Sequence, residues 1–261
     1  KLADIDPRIQ LGRIITAAEA SDGKVKFMVK DTPGDKAQQV IVNIPVLGKY
    51  SPTWPLKCAK SDKIVRNFAD YMAKPGTDPG FGGIGMLFLV STGDDKDLVT
   101  VRKWARGLGT ATYAWHLGYG GIPLCEYYLR TGDQSVLPVI QRWADSATKG
   151  EFFGGWAGRG GVAGVNYGGG GGHLNAAGTH VLTFLLLAKE CGANVPDDTL
   201  QSALRHFYRY AGRGNNPYGD DRPYTGFVDN GKNGLLAFSM AAAASLTPDG
   251  EKSIYAQARD S

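Results

Sequence analysis

Two stretches of this chain repeat each other at a fixed distance. GGIGMLFLVSTGDDKDLVTVRKWARGL, from Gly82, aligns with GIPLCEYYLRTGDQSVLPVIQRWADSA, from Gly121, at an offset of 39 residues. Gly82 meets Gly121, Thr92-Gly93-Asp94 meets Thr131-Gly132-Asp133, Leu98 meets Leu137, and Trp104-Ala105 meets Trp143-Ala144. Self-similarity of this period limits a chain to folds made by stacking one supersecondary unit. Each copy reads as an apolar helix that stops at Thr-Gly, with the glycine just past the helix end. The Asp then opens a second helix as its N-cap. The shared Trp is expected to fill the space between the paired helices. Two looser copies follow, over 171–212 and 226–260, and in the first of these Leu200, Leu204, Phe207 and Ala211 form one stripe. Apolar first helices and amphipathic second helices predict an inner row covered by an outer one.

The first residues have a different texture. PRIQLGRIITAAEA places Ile9, Leu11, Ile14 and Ile15 at helical spacing, KVKFMVK alternates Val25, Phe27 and Val29 with polar residues, and QQVIVNIPV follows a Pro-Gly-Asp turn. A helix and a hairpin are expected. The predicted organisation is a small α+β segment over 1–46, a Pro- and aromatic-containing linker over 47–61, and helical repeats over 62–261. The class is mainly α.

Charge and cysteine content narrow the partners. A net charge of +4 with scattered Lys and Arg predicts no nucleic-acid partner. The longest apolar run, near HVLTFLLLA, is too short to span a membrane. Cys58, Cys125 and Cys191 follow no metal-ligand spacing and are expected as buried hydrophobes. The chain starts at Lys1 rather than Met and ends within a helical pattern, which suggests a processed product or a fragment.

These residues carry two resemblances. The glycine-entered apolar helices, together with KGEFFGGW at Lys149–Trp156, resemble the α/α-toroid repeats of squalene cyclases and protein prenyltransferases. The helix–strand–turn–strand segment resembles the C-terminal part of a PDZ-like domain, without its carboxylate-binding loop. The pairing resembles an uncharacterised family of large bacterial exported proteins. The resemblance implies an α/α toroid, incomplete because four hairpins are fewer than a closed ring needs, and a periplasmic or secreted location. It also implies that the rest of the polypeptide or an assembly is a partner. No activity follows from it: the aspartate-rich acid motif of the cyclases is not matched by TGDD at Asp94-Asp95 or YGDD at Asp220-Asp221.

In a toroid, the loops leading into the inner helices converge on one cavity. That brings together the surroundings of His116, the glycine run Gly154–Asn175, His173–His180, and GFVDNGKNG around Asp229. His116, Tyr167, His173 and Asp229 are the candidate catalytic residues. Trp115, Tyr119, Trp156, Arg159, Asn166, Asn175, Asn230 and Lys232 are the candidate ligand contacts. His173 and His180 stand seven apart, two helical turns, which is too far to share one metal, so neither a metal nor a cofactor is expected. His180 is expected to hydrogen-bond in the core and His206, between Arg205 and Arg209, to be solvated. The glycine run reads as a cavity rim held by Trp156 and Tyr167. Three readings stay open: a scaffold or binding domain with a carbohydrate- or peptide-accommodating cavity, a polysaccharide lyase-like enzyme using Asn, Tyr and His, and a partner-binding half-toroid. A glycoside hydrolase would have to pair Glu151 with Asp229.

Overall fold

The computed structural model describes residues 6–156, 173–212, 217–219 and 233–261. The chain divides into two compact units, Lys1–Tyr71 and Met72–Ser261. The described residues are mainly helical, with ten α-helices and two small antiparallel sheets.

In the first unit, α1 (Pro7–Glu19) starts where the Asp6 carboxylate accepts the Arg8 amide at 2.9 Å and Pro7 presets the first turn. Strands β1 (Lys24–Val29) and β2 (Gln38–Asn43) pair with Val25 opposite Val42 and Phe27 opposite Val40. Helix α2 (Ala59–Met72) runs up to the boundary. The apolar stripe expected on α1 is largely in solvent: Ile9, Leu11 and Ile14 are exposed, as are Val40, Ile41 and Val42 of β2. Val25 is buried. With so little apolar burial, an ion pair takes a central place. The Lys60 side chain is fully buried, with Nζ 2.5 Å from Glu19 Oε2 and 4.1 Å from the Tyr50 ring centroid. It joins the last turn of α1 to the first turn of α2.

The second unit is a succession of helical hairpins. Its helices are α3 (Ile84–Ser91), α4 (Leu98–Arg106), α5 (Ala114–Thr131), α6 (Leu137–Gly150), α7 (Asn175–Glu190), α8 (Asp197–Tyr208), α9 (Asn233–Ser245) and α10 (Ile254–Asp260). Helix α5 packs on α3 and α7, and α7 packs on α9, so the first helices of the hairpins form a continuous row. Each of them also packs on the helix that follows it.

The repeat has a physical basis in close helix–helix approach. A methyl group at Gly83 would lie 2.6 Å from the Trp104 ring, one at Gly120 would lie 2.8 Å from Trp143, and one at Gly178 would lie 2.8 Å from Phe207. In three successive hairpins, therefore, a glycine at the first helix receives an aromatic ring from the second. Glycine inside a helix costs about 1 kcal/mol against alanine. Burying an aromatic side chain returns roughly 1.5–3 kcal/mol.

The Thr-Gly-Asp turns differ between copies. Gly132 is left-handed (φ 64°) and its amide reaches Tyr128 O at 2.7 Å, closing α5. Asp133 caps a 3-10 turn, Gln134–Val136, that leads into α6. In the first copy Asp94 folds onto the Lys96 amide instead, and Asp97 occupies the N-cap of α4. Asp133 also accepts from Tyr127 Oη at 2.8 Å and from Arg106 Nη2 at 3.0 Å, linking one repeat to the next.

Candidate functional site

The N-terminal end of α5 borders a cavity of about 300 Å³. Its walls are Gly80, Gly82 and Gly83 before α3, the rings of Trp104 and Trp143, and the exposed His116. Trp143 is fixed by its indole N–H, which donates to Gly109 O at 2.8 Å. The Tyr113 ring meets His116 edge-on, 5.2 Å between centroids.

A line of aromatic rings crosses the first-helix row. Trp115 and Tyr119, one turn apart on α5, stack with centroids 5.7 Å apart, and Tyr119 stacks on His180 of α7 at 4.2 Å. His180 then meets Phe238 of α9 at 5.7 Å, and Trp115 meets Tyr218 at 6.4 Å. Trp115, Tyr119 and Tyr218 are half-buried, and Phe238 is 43% exposed. Spacing explains the line: residues four apart share a helix face.

His180 has its protonation assigned by its surroundings. Its Nδ1 lies 3.0 Å from Ala176 O, which can only accept, so Nδ1 carries the proton and Nε2 keeps a lone pair. Burial pushes the imidazole pKa down, so the ring is neutral at neutral pH. Burial also raises the Tyr119 phenol and the carboxyl of Glu126, two turns further along the same face of α5.

A second cluster forms around His173. The chain before it folds into a short hairpin, β3 (Glu151–Phe152) and β4 (Gly155–Trp156). Phe152 O accepts from His173 Nε2 at 2.8 Å, and the His173 ring stands edge-on to His206, 4.5 Å between centroids. Asn175 Nδ2 donates to Tyr210 Oη at 3.1 Å, which leaves its Oδ1 to accept from His206 Nε2 at 2.8 Å.

With this geometry in place, the comparison with known proteins can be read. The chain belongs to the DUF6288 family. The family, described as a domain of unknown function, matches residues 61–261. Neither a curated protein nor a solved structure matches the chain.

Within the DUF6288 region, the candidates fall in three places. His116, Trp115 and Tyr119 lie on α5, with His116 at the cavity and the other two in the aromatic line. His173 belongs to the separate cluster on His206. Arg159, Asn166, Tyr167, Asp229, Asn230 and Lys232, with the glycine run from residue 157 to 172, lie outside the described residues.

Two expected ligand contacts are corrected. Trp156 is completely buried, its indole N–H donating to Ala147 O at 2.8 Å, so it anchors β4 and offers no ring face to a ligand. Asn175 is likewise buried, with its amide spent on Tyr210 and His206. His206, expected in solvent, is buried because the β3–β4 hairpin lies over α8. A methyl group at Gly154 would sit 2.5 Å from Ser202 O and 2.6 Å from His206 Cβ.

Among the described residues no group of three or more His, Cys, Asp or Glu side chains could hold a metal ion, and no helix is long and apolar enough to cross a membrane. Cys58, Cys125 and Cys191 are unpaired and buried.

Proposed function

We propose that the helical unit is a ligand-binding α/α-toroid domain of an exported bacterial protein, following a PDZ-like segment, and that its ligand is a carbohydrate taken on the first-helix face. The continuous row of first helices, each with an outer partner and a repeated glycine–aromatic contact, supports the toroid. Export rests on the family resemblance of the sequence. The observation that carries the reading is the aromatic line Tyr218, Trp115, Tyr119, His180 and Phe238. A sugar has an apolar C–H face and a rim of hydroxyls. Partly exposed rings with an indole N–H, phenol O–H groups and the Nε2 lone pair of His180 answer both requirements.

One observation favours the lyase alternative on this same face. Neutral His180 stacked on protonated Tyr119 places a proton acceptor beside a proton donor.

The test is calorimetric titration of the chain with neutral oligosaccharides, with Trp115→Ala and Tyr119→Ala as variants. Binding that weakens about tenfold or more in either variant supports the site, given the weight of buried aromatic anchors. No binding across the panel, or binding indifferent to both changes, sinks it. Growth of ultraviolet absorbance from unsaturated products, lost in His180→Gln, would turn the reading to the lyase.

A further inference from the structure

We infer that the molecule carries a second, acidic-sugar site on the outer side of α8, where Phe153 and Arg205 receive a uronate residue. This site extends the carbohydrate reading to a different ligand and a different face.

Phe153 is the starting observation. It occupies the tip of the β3–β4 hairpin with φ 48°, followed by Gly154 at φ 85°. Two left-handed residues in a two-residue turn fit Asn-Gly or Gly-Gly. A bulky residue with positive φ is a strained outlier, and such strain gathers at functional positions. Nothing in the fold is gained from the side chain, which is 89% exposed. The hairpin beneath it is nevertheless firmly held. Glu151 Oε1 accepts from the Gly154 amide and from Ser202 Oγ, Trp156 is anchored on Ala147, and Gly154 touches α8 closely. An apolar ring is thus presented to solvent on a rigid support at a conformational cost.

Beside it lies a cavity of about 580 Å³ lined by Phe153, Ser202, Arg205, His206, Arg209 and, toward the start of α8, Asp198 with Gln201. Arg209 donates to Tyr210 Oη at 2.5 Å and lies over the Tyr210 ring. Arg205, one turn away on the same face, is exposed and has no hydrogen-bond or ion-pair partner among the described residues. Basic residues in a last helical turn suit the helix dipole by themselves. The dipole explains neither the cavity nor the strained aromatic at its edge.

A flat apolar ring next to a planar guanidinium fork matches one sugar class. The C–H face of a uronate ring packs on Phe153, its carboxylate takes two hydrogen bonds from Arg205, and His206 and Arg209 keep that end of the cavity positive. Asp198 lies seven residues earlier, about 10 Å along the helix axis. At that distance it accepts from sugar hydroxyls without opposing the carboxylate.

The experiment titrates the chain with an oligogalacturonate, a neutral oligosaccharide of equal length and poly-glutamate, using wild type, Phe153→Gly and Arg205→Gln. Glycine relieves the left-handed strain, so Phe153→Gly should keep or raise the melting temperature while losing about tenfold in oligogalacturonate affinity. Arg205→Gln should lose as much with an unchanged melting temperature, and added salt should weaken wild-type binding. Binding of the neutral oligosaccharide should be the same in both variants, which separates this site from the Trp115 face. Oligogalacturonate affinity that is no better than that of the neutral sugar, that survives both substitutions, or that poly-glutamate matches would overturn the proposal.

Discussion

The Lys1–Tyr71 unit and the Met72–Ser261 unit bury different things. The first leaves much of α1 and all of β2 exposed and closes around an ion pair, Lys60 with Glu19, under the Tyr50 ring. The second closes around apolar helices whose spacing is set by glycines pressed against aromatic rings. The difference teaches that a small segment without enough apolar area can fix its geometry by a buried charge, which is specific but costly to disturb. A repeat array adds one apolar contact per hairpin, so no single polar pair is needed.

The largest effect is expected where that pair is broken. Glu19→Leu leaves the Lys60 ammonium buried without its partner, and should destabilise the first unit by about 3–5 kcal/mol. The double change Glu19→Leu with Lys60→Met should recover most of the loss. Denaturant melts of the three proteins check this, and a double variant as unstable as the single one would break the comparison. In the second unit, Gly118→Val tests the helix seam. A methyl group there would lie 2.6 Å from His180 Cβ and 3.0 Å from the Val181 amide, with backbone that cannot give way. A loss of about 2–3 kcal/mol is expected from overpacking.

A smaller effect belongs to the turn between repeats. The Ser135 hydroxyl, with Tyr127 and Arg106, holds the Asp133 carboxyl well below the usual carboxylate range. A depressed carboxylate contributes stability above its unfolded pKa and loses it as pH falls through the folded value. Asp133→Asn should therefore cost about 1 kcal/mol at neutral pH, as lost caps do, and the gap to wild type should narrow below about pH 4. The smallest effect is a change of slope. Burial lowers the His180 pKa, so the folded state binds that proton less readily than the unfolded chain. Its contribution is complete above about pH 6.5, declines as pH falls through that value, and levels off below the folded pKa. His180→Gln should flatten this part of the stability profile, read by melting temperature against pH.

Much of the hairpin architecture can be read in the sequence because its causes are local. Thr131-Gly132-Asp133 encodes a helix stop and a cap in adjacent residues, and Trp104 and Trp143 recur at one period against glycines. The aromatic line is half legible: Trp115 and Tyr119 stand four apart on one helix, but no spacing tells that His180 and Phe238 complete it from other helices. The burial of His206 was not legible at all. Its position between Arg205 and Arg209 reads as a solvated face, and what covers it is a hairpin with two-residue strands, too short for any periodicity, turned at Phe153-Gly154 rather than at a familiar Asn-Gly. The exposed stripe of α1 was misread for the complementary reason. Helical spacing of Ile9, Leu11 and Ile14 announces an apolar face but not what, if anything, lies against it.

The central claim is that the first-helix face binds sugar at Trp115, and the chain contains its own reporters. It has five tryptophans, at positions 54, 104, 115, 143 and 156, each giving one indole N–H signal in a nitrogen–proton correlation spectrum. Titration with the tightest neutral oligosaccharide should shift the Trp115 signal progressively. The Trp143 and Trp156 signals, tied to Gly109 and Ala147, should stay where they are. A Trp115 signal that does not move while sugar binds, or shifts confined to the other four indoles, would contradict the account.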